Sequence, residues 1–369
     1  MRRPLNPTHV LMTADAVGGV WTYALALAEA LAAAGIEVTL AVLGPRPGEV
    51  QRAAATRLAD VKLVETGLPL DWLAPDRRAV AGAGALLAGL ARDIGADLVH
   101  LNSPALAADV RFHAPVVGAA HSCLATWWAA VRGGAPPEDF RWRIELMGEG
   151  YRACDALIAP SGAFAAATRG AYGPLPLFVA RNGLGVGAMG RERPRSRRVI
   201  TAGRLWDAGK NLELLDGAAA RLSRPVLAAG PLTGPAGETA SAAHVELLGA
   251  LAPAVLRQGL ERSLIFASFA SYEPFGLAVL EAAQAGCALV LSDIPTFREL
   301  WSGAAVFTPL GDADLAARAL EALFASPEES AALSRAASRR AARYTRQAMA
   351  AATLAIYRWA MARPSEAAA

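Results

Sequence analysis

Residues 264–282 read Leu264-Ile265-Phe266-Ala267-Ser268-Phe269-Ala270-Ser271-Tyr272-Glu273-Pro274-Phe275-Gly276-Leu277-Ala278-Val279-Leu280-Glu281-Ala282. The opening apolar run predicts a buried strand, and the residues after Gly276 predict a helix. Glu273 then lies in the strand-to-helix loop, and Glu281 on the helix's first turns, on the side of the loop. A helix N-terminus presents free backbone N–H groups and the positive end of its dipole, which suits a phosphate or a sugar oxygen. Two carboxylates beside it suit sugar hydroxyls, since each accepts hydrogen bonds from adjacent OH groups. On these residues alone the element is a polyol or phosphate site. A glutamate near a helix start is also an ordinary dipole partner, and Glu281 an ordinary surface acid.

Outward from this stretch, short apolar runs alternate with helical ones along nearly the whole chain. Strands are predicted at residues 10–14, 38–43, 98–101, 116–119 and 157–159 in the first half. In the second half they are predicted at 199–202, 226–229, 245–248, 264–267, 289–291 and 305–307. Ala/Leu/Arg stretches of helical period, such as 23–34 and 315–324, lie between them. Strand–helix alternation implies parallel sheets covered by helices on both faces, and here the pattern occurs twice. The break falls at residues 187–198, polar, Pro-bearing and rich in arginine, which reads as a solvated linker rather than a phosphate patch. The expected organisation is a first Rossmann-like domain over 1–187, a second over 188–345, and a terminal helix and tail over 346–369.

The chain has 369 residues, ample for two domains, with 54% hydrophobic and 19% charged residues and a net charge of +3. That mild charge, with no basic run interleaved with aromatics, excludes a typical nucleic-acid binder. Cys123, Cys154 and Cys287 are widely spaced, form no zinc pattern and cannot all pair, which fits a reducing cytoplasm. The apolar run after His9 is too short for a signal peptide, and the uncharged stretch 79–91 is far short of a membrane span. A soluble, cytoplasmic protein is expected, with peripheral contact at the inner face of a membrane left open.

Ligands of doubly wound sheets bind beyond the carboxyl ends of the strands. The polar residues there are Asp15 with Gly18-Gly19, His121-Ser122, Ser161, Gly203-Arg204, Gly230, Gly249, Glu273 and Asp293. Gly18 and Gly19 open a helix and let the backbone approach an anion, but no third glycine completes a dinucleotide fingerprint, which disfavours a nicotinamide dehydrogenase. A tight turn accounts for them as well. Arg204 and Lys210, in one loop at the end of a strand, suit a diphosphate that gains negative charge as its bond breaks. Trp127, Trp128 and Tyr151 stack on sugars or lipid when they line a cleft, but they read better as packing residues.

The segment around Glu273 and Glu281 resembles the E-x7-E motif of family 4 retaining glycosyltransferases, of the glycogen-synthase-like superfamily. Gly203-Arg204-Leu205 and Lys210 resemble the same family's G-R-L…K-G motif, with a spacing one residue longer and Asn211 in place of the usual glycine. The resemblance is strongest over residues 202–300 and weakest over 49–96. It implies an α/β protein of the GT-B fold, two facing Rossmann-like domains with an interdomain cleft, and a terminal helix crossing back to the first domain. It implies a retaining, metal-independent hexosyltransferase that moves a sugar from a nucleotide-sugar donor to an acceptor hydroxyl in bacterial-type glycan or glycoconjugate synthesis. The acceptor would be a glycan, a lipid-linked molecule or a small molecule, and no cofactor is expected. The resemblance assigns His121, Glu273, Arg204 and Lys210 to catalysis, and Gly18, Gly19, Phe275, Gly276, Leu277 and Glu281 to the donor. Arg204, Lys210 and the helix N-terminus would stabilise the leaving group, Glu273 the sugar hydroxyls, and Glu281 the ribose. Asp312-Ala313-Asp314, although it spells D-x-D, reads as a helix start and not as a metal site. Two other functions share the fold: a nucleotide-sugar 2-epimerase, and a catalytically silent subunit that binds a nucleotide sugar or a partner.

Overall fold

A computed structural model describes residues 6–185, 195–235 and 237–363. The chain divides into two compact units, with boundaries at Gly183/Leu184 and Thr345/Arg346. The first contains strands β1 (His9–Asp15), β2 (Glu37–Leu43), β3 (Val61–Glu65), β4 (Leu98–Leu101), β5 (Val116–Ala119), β6 (Ala156–Ala159) and β7 (Leu177–Val179). They form one parallel sheet in the order β3-β2-β1-β4-β5-β6-β7. The second contains β8 (Ser196–Ala202), β9 (Val226–Ala229), β10 (Glu246–Gly249), β11 (Ser263–Ser268), β12 (Ala288–Ser292) and β13 (Val306–Thr308). They form a parallel sheet in the order β10-β9-β8-β11-β12-β13. The α/β, twice doubly wound architecture expected of the GT-B fold is therefore present.

Each sheet buries both faces, so its central strands are near-continuous apolar runs such as Val10-Leu11-Met12 and Ile265-Phe266-Ala267. Strand order reverses once in each sheet, between β1 and β4 and between β8 and β11. Crevices beyond the carboxyl ends of strands at such a switch point are where open α/β sheets take their ligands.

The terminal helix Arg346–Ala362 packs on the first unit, against the helix Gly19–Ala32 and β6. It places Met349, Ile356, Tyr357 and Met361 in that unit's core. The second unit has its own cores on the two faces of its sheet, one around Phe266, Phe297 and Trp301 and one around Phe269, Leu320 and Phe324.

Most of the linker read at 187–198, and the boundary at 187/188 with it, lies outside the described residues, as does the tail from Pro364. Its end is described and is not a solvated linker. Ser196–Arg198 belong to β8, and three of the arginines are tied down. Arg195 donates to the carbonyls of Leu260 and Ser263, Arg197 to that of Phe324, and Arg198 to the Ser263 hydroxyl at 3.0 Å. The carbonyls of Leu260 and Phe324 belong to the last turns of helices, where a cation meets unpaired acceptors and the negative end of the dipole.

Candidate active site

In the second unit, β8 ends at Ala202 and runs through Gly203 into a loop that returns as a single turn of 3-10 helix, Ala208–Lys210. Asp207 is buried and organises this loop. Its Oδ1 accepts from the Gly209 N–H at 2.9 Å, capping the turn, and its Oδ2 accepts from Arg204 Nη2 at 2.9 Å. Asn211 follows with φ 53°, in the left-handed region that favours glycine and that asparagine enters more readily than most residues. That conformation favours the glycine that the resemblance leads one to expect here, and asparagine tolerates it. The Gly209 carbonyl accepts from the Ser271 and Tyr272 N–H groups, tying the loop to the one after β11.

Lys210 Nζ donates to Glu273 Oε2 at 2.6 Å, with both side chains largely withdrawn from solvent. These two residues, with Gly203, Ser268 and Ala278, line a cavity at the carboxyl ends of β8 and β11. At the floor of this region Gly230, with φ +147°, passes so close to Gly203 that a Cβ there would lie 1.7 Å from the Gly203 carbonyl oxygen. Only glycine fits at that crossing.

The loop after Glu273 turns at Gly276, whose φ of 90° and ψ of 67° start the helix Leu277–Gln284. No side chain caps that helix and its first turn holds no acid, so its leading N–H groups are not answered by a side chain of their own element. Phe275 is buried against Tyr344 in the core, so its side chain anchors the loop, and its backbone is what it can offer a ligand. Glu281 lies one turn beyond Leu277. It is half-buried, its side chain makes no hydrogen bond or ion pair among the described residues, and burial raises its carboxyl to about 7.

In the first unit, Gly18 and Gly19 begin the helix Gly19–Ala32, which again has neither a side-chain cap nor an acid in its first turn. Asp15 at the end of β1 accepts from the Val17 N–H and shapes the approach. His121, just past β5, donates from Nε2 to Asn102 Oδ1 at 2.7 Å and meets the Tyr23 ring edge-on at 4.5 Å. Burial first, and then the neighbouring His100, lowers the His121 imidazole to about 3.

The structure therefore gathers Arg204, Lys210, Glu273, Phe275, Gly276, Leu277 and Glu281 in the second unit. In the first unit, His121 lies against Tyr23 of the helix that Gly18 and Gly19 begin. Two residues that the strand-end survey passed over belong with them: Asp207 and Asn102. Asn102 follows β4 directly, so the rule that found His121 also reaches it. Other members of that survey have different work. Ser161 caps the helix Gly162–Tyr172 through the Phe164 N–H, and Asp293 is paired in a two-pronged bridge with Arg298. Asp312 caps the helix Ala313–Ala325 through the Leu315 N–H, and Asp314 pairs with Arg221.

Two family models match the sequence: Glycosyltransferase Family 4 over residues 17–185, and Glycosyl transferases group 1 over residues 193–340. Between them they take in most of the chain. No curated protein matches it in sequence. Among solved structures it resembles the sucrose-phosphate synthase of Thermosynechococcus elongatus, with 17% identity, a TM-score of 0.77, and 95% of this chain and 98% of that one covered. It also resembles Anabaena HepE in complex with UDP-glucose, at 18% identity, TM-score 0.73, and 94% and 98% coverage. A third is WaaG, a glycosyltransferase involved in lipopolysaccharide biosynthesis, at 12% identity, TM-score 0.69, and 95% and 99% coverage. At such identities these likenesses bear on the fold. Among the described residues no helix is long and apolar enough to cross a membrane.

Proposed function

The chain belongs to glycosyltransferase family 4, and from that premise we propose that it is a retaining enzyme moving a sugar from a nucleotide-sugar donor to an acceptor hydroxyl, without a metal ion. The observation that carries this is the Lys210–Glu273 pair at the β8/β11 switch point, beside the uncapped start of the helix Leu277–Gln284. Lys210, Arg204 and the helix N–H groups are cationic or electropositive. They supply the counter-charge that a departing diphosphate needs, the role a divalent ion would otherwise fill. Glu273 and Glu281 supply acceptors for hydroxyls of the donor sugar and of the ribose. From the first unit, Gly18 and Gly19 are assigned to the donor phosphates and His121 to the donor sugar. The acceptor is a glycan, a lipid-linked sugar or a small molecule with a free hydroxyl.

In this reaction the bond between the anomeric carbon and the diphosphate oxygen breaks, and its electron pair leaves with the diphosphate. The acceptor oxygen bonds to the anomeric carbon on the same face, and its proton passes to the departing phosphate oxygen. In the free protein Glu273 occupies Lys210, so the incoming diphosphate takes the ammonium over and releases the carboxylate to the sugar hydroxyls.

A panel of UDP-, GDP- and ADP-sugars tests the donor class. A true donor at a hundred times its Kd stabilises the fold by about 2.7 kcal/mol and raises the melting temperature accordingly. A panel without effect would sink the proposal. With the donor known, transfer should survive EDTA, and the product should keep the donor's anomeric configuration by NMR. Turnover lost on chelation and restored by magnesium would overturn the metal-free assignment. A changed sugar with no acceptor present would identify an epimerase instead.

A further inference from the structure

A chain of hydrogen bonds runs through the core of the first unit to His121, from Tyr357 on the terminal helix through His100 on β4 and Asn102. Its polarity has one solution. Asn102 Nδ2 donates to the Thr13 carbonyl, and the Asn102 N–H donates to Thr13 Oγ1 at 2.8 Å. A carbonyl oxygen only accepts, so the Asn102 amide group must face Thr13 and its Oδ1 must face the imidazoles. That oxygen lies 2.7 Å from His121 Nε2 and 3.3 Å from His100 Nε2. It too only accepts, so both imidazoles carry their proton on Nε2. His100 Nδ1 is then a bare acceptor, matched by the Tyr357 hydroxyl at 2.8 Å. His121 Nδ1 is a bare acceptor as well, and it has no partner among the described residues.

The surroundings keep both rings neutral. His100 is fully buried, and burial lowers it to about 4. The titratable groups that face the two rings are Tyr23 from the helix Gly19–Ala32 and Tyr357 from the terminal helix, and burial raises both phenols. No carboxylate contacts either imidazole among the described residues.

We propose that Asn102 is the positioning residue that holds His121 as its neutral Nε2–H tautomer, so that the bare Nδ1 accepts a hydrogen bond from a hydroxyl of the substrate. The hydroxyl clause rests on the function proposed above; the tautomer does not. A neutral acceptor nitrogen selects a hydroxyl and turns away a phosphate or carboxylate oxygen, which has no proton to donate. His121 is therefore excluded as a cation for the diphosphate, a task left to Arg204 and Lys210.

The test is two-bond 1H–15N NMR of the full chain labelled at histidine. His121 should show a protonated Nε2 and a bare Nδ1, unchanged from pH 8 to pH 5. In Asn102→Asp, a carboxylate replaces the amide oxygen, and His121 should titrate at least one pH unit higher, with turnover gaining a matching acid limb. Asn102→Leu should mix the tautomers while the fold is retained by circular dichroism. A wild-type His121 that carries its proton on Nδ1, or that titrates near 6.5, would overturn the proposal whether or not either variant folds. For the ligand, the probe is the nucleotide sugar that most raises the melting temperature, against its nucleoside diphosphate. The Nδ1 resonance should move with the first and not with the second. Equal movement with both, or none with either, would overturn the hydroxyl clause and leave the tautomer standing. Failure of every nucleotide sugar to bind would strike the proposed function first.

Discussion

Glu281 is the residue of the proposed donor site whose protonation would weigh most on nucleotide binding. Burial raises its carboxyl to about 7, so near neutral pH half of the free protein holds it uncharged. A raised acid contributes its stability in full below the unfolded value near 4.5 and loses it as pH rises through 7, since the folded state then gives up a proton it had kept. In the proposed site, two ribose hydroxyls would offer the carboxylate the hydrogen bonds that the described residues do not. A nucleoside-diphosphate sugar has no phosphate proton to gain near neutral pH, and the affinity of the donor that the panel identifies should fall about tenfold per unit below pH 7 and level off above it. Glu281→Gln should bind more weakly by roughly 1.5–3 kcal/mol at pH 8 and lose the pH dependence. Calorimetric titrations from pH 5.5 to 8 check this, and a variant that keeps the slope would remove Glu281 from the site. Glu273→Gln separates the roles of the ion pair. It frees Lys210 from its carboxylate, so the nucleoside diphosphate of the donor found in the panel should bind no worse than to the native chain while turnover collapses. Weaker binding of that diphosphate with unchanged turnover would show that Glu273 only positions Lys210. The residue types at this site were legible in the sequence because carboxylates, cations and glycines stand at the ends of apolar runs. Asp207 was not, because its effect comes from which two N–H groups its oxygens reach, a matter of loop geometry.

Two glycines isolate what the loop before the helix Leu277–Gln284 contributes. Gly276 and Gly35 both have positive φ, 90° and 78°. A Cβ at Gly35 meets nothing within 4 Å, whereas one at Gly276 meets Val279 at 3.1 Å and Phe297 at 3.2 Å. Alanine at either position incurs the left-handed cost of roughly 1–2 kcal/mol. In a unit of this size that lowers the melting temperature by about 2–4 °C per kcal/mol. Only Gly276→Ala should also weaken binding of the donor found in the panel, because crowding from the helix and from Phe297 shifts the loop that carries Glu273. Equal binding by the two variants, measured by calorimetry beside their melting curves, would separate this loop from the donor. At this scale the sequence told its story unevenly. All six strands of the second sheet stand within a few residues of their expected positions, as do five of the first. The two that went unread, β3 and β7, are the edges of the first sheet. Val61–Glu65 carries Lys62 and Glu65, and Val179 is 40% exposed. Edge strands are covered on fewer sides, so they lack the continuous apolar run that betrays a central strand. Residues 195–198 failed for the opposite reason: arginines that look solvated are seated on helix-end carbonyls, and composition does not register such acceptors.

Two buried histidines of the first unit and Glu281 of the second respond to acid in opposite senses. His100 and His121 are held neutral, with values near 4 and 3 against an ordinary 6.5, so the unfolded chain binds protons that the folded first unit refuses. Their stabilisation is present above 6.5 and is lost as pH falls toward the folded values. His100 alone accounts for about 3 kcal/mol between those limits, at 1.36 kcal/mol per unit. Glu281 acts in the reverse sense in the second unit, and there it offsets what Asp216 and Asp293, whose carboxyls are held low, lose as pH falls. Acidification should therefore weaken the first unit ahead of the second. Buried indoles report on each: Trp21 in the first core and Trp301 in the second. With 19F-labelled tryptophan, urea unfolding at pH 7.5, 6 and 4.5 should move the Trp21 midpoint down steeply and leave the Trp301 midpoint with little loss. In His100→Gln the first unit starts less stable, because the bond from Tyr357 is weakened, but its slope against pH should shrink by up to one proton. If that variant keeps the full slope, the acid response comes from elsewhere in the unit. His100 would then be a packed core residue, with no part in the chain of hydrogen bonds that ends at His121.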